Sequence, residues 1–292
     1  DSDAECLRPA LTDRSLQVRV AAARLLWKLP GSEVAAAVRR RAEGLLDFRP
    51  KPGGLLDQVK ATPGMDADGE LLVELPPEEY DKKWAAEGIV ETPPRGAGRR
   101  QWWLSQILAA VPPSSWTERF GRSPAVLVRA AQAGEYAEAL LDGWSSAALR
   151  FGATPWAPAL WDAWAARGAR GNLVEEPLRA LTALLTVDEA STRFARLLRV
   201  DADLHLFEAC PAPWPEEVTR TFLAKLPRAT SAWTPLLPIA ALALPRSALA
   251  KVRIVRPSAA PESYDAIQYD RALDRFEETI TFRRRLTQEI QQ

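Results

Sequence analysis

RRQWWLSQILAAVPPSSW, at residues 99–116, is a short apolar helix pattern that opens on adjacent tryptophans and is stopped by Pro112 and Pro113. A proline has no amide hydrogen to continue a helical ladder, so the boundary there is sharp. The stretch divides the chain. Before it lies a region rich in proline and acid with no helical period, and after it one apolar helix pattern follows another almost to the end. That asymmetry predicts an all-α protein interrupted by an irregular insertion.

Downstream, YAEALLDGW at 136–144 and WAPALWDAW at 156–164 align at an offset of 20 residues, matching Leu140 with Leu160, Asp142 with Asp162 and Trp144 with Trp164. One helix plus a turn has that length, so the pair reads as successive helices with one packing pattern. Apolar runs closing on Pro30, Pro112, Pro227 and Pro245 mark further helix ends. Helices are expected at 176–185, 190–198, 204–210, 215–226 and 233–249, the last broken by Pro238 and Pro245. KVRIVR at 251–256 alternates apolar and basic residues, as either an exposed strand or a frayed helix end does. A long amphipathic helix follows from 262 to 292, with Leu273, Phe276, Ile280, Leu286 and Ile290 as its apolar stripe and Arg285 placed to pair with Glu289.

Upstream, LRPALTDRSLQVRVAAARLLWKLP at 7–30 carries apolar residues at the three- and four-residue steps of two helices, with Asp13 beginning the turn between them. The spacing of Asp13, Val18-Arg19, the alanine triplet and the closing leucines is similar to the HEAT repeat. The resemblance implies that Asp13 and Arg19 belong to a polar ladder between stacked repeats. A helical pattern continues at 34–46, where Arg39, Arg40 and Arg41 fan over more than half the circumference and form a solvated face. Between 49 and 95 the period stops among repeated Pro and Gly. ELLVEL at 70–75 is read as a strand and 77–86, with Trp84, as a short helix. Acids crowd the insertion. An ordered loop of this length inside a helical array is often functional, and disorder competes with that reading.

Trp84, Gly88-Ile89, Pro93-Pro94, Gly98-Arg99, Trp102-Trp103-Leu104, Gln106-Ile107-Leu108, Val111-Pro112 and Trp116 together resemble an uncharacterised bacterial domain-of-unknown-function family of helical-repeat proteins over about 84–164. The resemblance implies gene neighbourhoods with MoxR-type AAA+ ATPases and von Willebrand factor A proteins, hence a chaperone-like assembly. It carries over no catalytic residue.

The totals narrow the function classes. Of 292 residues, 47% are hydrophobic and 26% charged, the range of a packed globular chain. Lys plus Arg and Asp plus Glu are 38 each, which argues against duplex nucleic acid as the default partner. Cys6 and Cys210 form no metal-ligand pattern, and the single histidine, His205, has no metal pair or nucleophile to serve. No cofactor and no metal is expected. Asp142 and Asp162 invite an acid/base reading, but repeat geometry explains their positions without chemistry. No run reaches transmembrane length, so a cytoplasmic chain is expected, and the start at Asp1 without methionine is expected of a piece of something longer.

These readings predict a HEAT- or armadillo-like α-solenoid of antiparallel helix pairs, divided as helices at 1–48, the acidic insertion at 49–98, a Trp-rich array at 99–256 and the amphipathic helix at 257–292. The expected function is a non-enzymatic scaffold or adaptor for protein partners. Two alternatives stand. A nucleic-acid binder needs Arg39–Arg41, Arg99, Arg100 and Arg283–Arg285 on one face, and an enzyme needs a buried carboxylate beside a Trp-lined pocket. The eleven tryptophans suit inter-helix seams. The partner surface is placed at Arg95, Arg99, Arg100, Trp102 and Trp103, since Arg and Trp are enriched among interface hot spots and neighbours on a helix point about 100° apart.

Overall fold

Helix starts follow the capping residues. In the computed structural model, which describes residues 2–29, 31–51, 68–168, 174–202, 204–256 and 263–290, α1 (Ser2–Leu7) and a 3-10 turn (Pro9–Thr12) lead to α2 (Leu16–Leu26). The Ser15 hydroxyl accepts from the Val18 amide, and Ser32 caps α3 (Glu33–Leu45) in the same way. Among the described residues the hydrogen bonds of Asp13 and Arg19 are local ones. The Asp13 carboxylate accepts from the Ser15 amide and the Arg19 guanidinium donates to the Asp13 and Arg14 carbonyls, so both stabilise the turn in which they sit.

The described residues are mostly helical, with one two-stranded sheet. β1 (Leu46–Pro50) runs directly out of α3 and pairs antiparallel with β2 (Gly69–Val73), Phe48 facing Leu71. The strand expected at 70–75 is therefore present, and it has a partner that the sequence did not announce. LDFRP is too short to show a period and follows a helix without a break. Between 77 and 86 there is only a 3-10 turn (Lys82–Ala85). The remainder of the acidic insertion, 52–67, lies outside the described residues.

Residues 1–184 form one compact unit. Its centre is the crossing of α4 (Arg99–Ala109) with α7 (Ala137–Phe151), followed by α8 (Ala157–Gly168) and α9 (Glu175–Thr182); α5 (Ser114–Phe120) and α6 (Pro124–Ala133) lie between α4 and α7 in the chain. The crossing is close because of Gly143: a Cβ there would meet Leu108 Cβ at 2.7 Å and the Ser105 carbonyl at 2.8 Å. Leu140 and Leu160 are fully buried, as are Trp144 and Trp164, so the two repeat segments share a packing pattern. Their surroundings differ. Trp144 meets Trp156 edge to face at 5.2 Å, whereas Trp164 donates to the Ser145 hydroxyl.

Residues 185–292 form the second unit. Its core is a run of rings, Phe194, Phe207, Trp214, Phe222 and Phe276, each 5.0–6.1 Å from the next. They are carried by α10 (Val187–Val200), a 3-10 turn (Leu204–Ala209), the irregular segment before α11 (Glu216–Lys225), which holds Trp214, α11 itself, and α13 (Tyr264–Ile290), with α12 (Leu236–Ala243) between the last two. Pro238 does not break α12. It occupies the first turn, where the amide hydrogen has no intrahelical partner in any case. The segment 252–256 is neither strand nor helix; Arg256 ties it to α13 through Asp270, Asp274 and Glu277. Among the described residues no helix is long and apolar enough to cross a membrane.

Candidate partner-binding site

The sequence places the partner surface on the α4 face. Trp103 is fully buried, with its ring 5.5 Å from Trp84 and 5.6 Å from Tyr80, and its indole N–H donates to the Glu91 carbonyl. One turn on, the buried Gln106 amide accepts from the Val90 N–H and donates to the Val90 carbonyl. These two residues fasten the end of the acidic insertion to the helix. Trp102 is half-buried, and its indole N–H has no acceptor among the described residues. The adjacent tryptophans thus divide into an inward member and an edge member.

The arginines divide as well. Arg100 is half-buried and donates to the Pro76 carbonyl at 2.5 Å and the Leu75 carbonyl at 3.1 Å, which fixes the exit of β2 against the start of α4. Arg99 is exposed, donates to the Glu78 carbonyl and lies over the Trp103 ring. Arg95 is exposed. Of the five residues singled out, Arg95 and Arg99 are exposed, Arg100 and Trp102 are half-buried and Trp103 is buried; Arg99 and Arg100 line a shallow depression of about 390 Å³ together with Leu75, Glu78 and Gln101.

Asp142 is exposed as a residue, yet burial of its carboxyl pushes its pKa up, opposed by a hydrogen bond with Ser105; Asp162 is half-buried and His205 exposed. Burial pushes the Cys210 thiol up to about 12, which keeps it protonated and unreactive near neutral pH. Among the described residues no group of three His, Cys, Asp or Glu is placed to hold a metal ion. A groove of the second unit, about 660 Å³, lies between α11 and residues 245–251. Trp214, Arg220, Leu223 and Lys251 line it, and its one carboxylate, Glu216, is exposed rather than buried.

The last helix holds the feature that sequence reading did not single out. Along α13, Leu273, Phe276 and Ile280 are buried in the second unit. Beyond them Phe282, Leu286 and Ile290, at four-residue steps, are 65%, 42% and 60% exposed. The apolar stripe therefore runs past the end of its own core. Arg285 and Glu289 flank the uncovered part, and both are exposed. Phe282 was legible in principle, since 282, 286 and 290 share a helical face.

Residues 1–290 match one family, described as a family of unknown function, DUF5691. No curated protein and no solved structure matches the chain.

Proposed function

The chain belongs to DUF5691, a family of unknown function, and from that premise we propose that it acts as a non-enzymatic helical scaffold that holds a protein partner. The observation that carries the reading is the uncovered stripe of Phe282, Leu286 and Ile290. Contiguous large apolar side chains on a charged helix are costly to leave in water and mark interaction sites. The occupant that fits is an amphipathic helix of the partner, laid along the stripe with its own three- and four-residue anchors. The mixed rim of Glu278, Arg285 and Glu289 suits a partner helix carrying both signs. A HEAT- or armadillo-like stack belongs to the same proposal. In its favour, α6 contacts α7 and α8, α7 contacts α8 and α9, and α8 contacts α9, the neighbour pattern of stacked helical pairs. The surface at Arg95, Arg99 and Trp102 is a second contact area within this reading. A MoxR-type AAA+ assembly is the partner class to try first.

The nucleic-acid alternative is weakened by what its arginines already do. Arg39 pairs with Glu43 and Arg41 with Glu87, while Arg283 and Arg284 donate to carbonyls at 241–252. The test compares the wild type with Phe282→Glu/Leu286→Glu in affinity capture followed by quantitative mass spectrometry. The double variant should melt within a degree or two of the wild type, since surface changes typically cost under about 0.5 kcal/mol each, yet lose the captured proteins. Identical capture by both sinks the reading. A wild type that sediments as a dimer and a variant that sediments as a monomer would replace the partner by a second copy of the chain.

A further inference from the structure

Two guanidinium groups of the first unit converge on one indole with no counter-charge. The Arg24 guanidinium carbon, from α2, lies 5.9 Å from the centroid of the Trp27 ring, and that of Arg150, from the last turn of α7, lies 4.4 Å from it. The two cations are therefore within about 10 Å of each other. Both residues are half-buried. The Nε of Arg24 is buried and has no hydrogen-bond partner, and Arg150 makes one bond, 2.9 Å to the Ala109 carbonyl at the end of α4. The carboxylate of the residue bonded to Trp27 is already committed. Glu87, whose backbone carbonyl accepts from Trp27 Nε1, gives its carboxylate to Arg41 in a bidentate pair. Among the described residues neither Arg24 nor Arg150 has an acidic partner.

Other half-buried arginines among the described residues are neutralised or bound to carbonyls, as Arg41 is by Glu87 and Arg100 and Arg284 by two carbonyls each, while Arg122, over the Phe48 ring, shares the unpartnered Nε. Burial, and after it the charge of Arg24, push Arg150 down to about 10. Burial likewise lowers Arg24. A protein that places two desolvated like charges over one ring, where each disfavours the other, holds them poised for an anion.

We propose that Arg24 and Arg150, against the Trp27 ring, form a binding site for a phosphate dianion, either free or as a phosphate monoester. Two guanidinia present parallel N–H pairs that match phosphate oxygens bidentately, and a dianion neutralises both charges where a carboxylate would neutralise one. The buried Trp27 indole is the apolar wall of the site. This site does not depend on the scaffold reading, whose surface lies on α13.

Thermal melting and titration calorimetry of the whole chain test it, with inorganic phosphate against sodium chloride at equal ionic strength, and phenyl phosphate as a second arm. The wild type should gain stability with inorganic phosphate or with the monoester beyond the chloride control; a response to the monoester alone would assign the ligand to a phosphorylated molecule. Arg24→Met, which keeps the aliphatic stem, should bind at least tenfold more weakly. Without phosphate it should melt no lower than the wild type, because the repulsion is gone. Arg150→Lys keeps a charge but loses the fork, and should weaken binding while retaining the fold. A wild type that responds to neither probe beyond chloride, or an Arg24→Met protein that binds as tightly, overturns the site.

Discussion

Gly143 and Cys210 show how much a single residue can carry. The two aligned repeats differ at Gly143 against Ala163, and at 143 another helix, α4, presses against the backbone. Gly143→Ala should destabilise the protein by about 1–3 kcal/mol in urea unfolding, as overpacking outweighs the helix propensity that alanine adds. A neutral or stabilising effect would mean that α4 can shift at little cost. Cys210 makes a second test, through pH. Its thiol is raised from an ordinary 9.0 to about 12 by burial, so on unfolding it returns to the lower value. The stabilisation is present in full below pH 9 and is lost as pH climbs from there towards 12, because the unfolded chain releases its proton first. The half-buried Tyr80 hydroxyl, also raised to about 12, acts in the same sense above pH 10. Cys210→Ala should therefore lower Tm overall yet show a shallower fall in Tm between about pH 8 and about pH 10.5. Parallel slopes for the two proteins would remove Cys210 from the alkaline response.

At the scale of elements, similar-looking residues take different work from what packs against them. Arg99 and Arg100 are neighbours on α4. Arg100 holds two carbonyls beyond β2 from a half-buried position, while Arg99 lies along the surface. Arg100→Ala should cost about 1.5–3 kcal/mol, the range of hydrogen bonds made by a charged group, and Arg99→Ala under about 1 kcal/mol. Equal costs, read by chemical denaturation, would show that the link from β2 to α4 does not depend on Arg100. The reading of α13 follows the same logic. Its stripe is continuous in sequence, but only Leu273, Phe276 and Ile280 find a core, leaving Leu286 and Ile290 uncovered. Periodicity identifies the apolar face of a helix; it cannot say where the neighbour ends.

For the whole molecule, the two compact units meet in sequence at residues 184 and 185, each with its own buried aromatic cluster. Chains of 1–184 and 185–292 expressed separately should each give a helix-dominated circular dichroism spectrum and a cooperative melt. An unfolded 185–292 would show that its ring stack depends on the first unit. By itself the sequence determined the helical class and most of the helix ends, because a helix is built from contacts three and four residues apart and Pro112, Pro227 and Pro245 stop its ladder locally. It also determined that Trp102 and Trp103 would point different ways, a matter of helical rotation. Tertiary structure alone decided which of them is buried, since the Trp103 pocket is made by Tyr80, Trp84 and the Glu91 carbonyl from another part of the chain. It likewise paired LDFRP with a strand across 52–67, and it set Arg24 beside Arg150 over Trp27. No local period encodes such meetings. They depend on how closely α4, α7 and α2 approach, which is set by the shapes of buried side chains far apart in the chain.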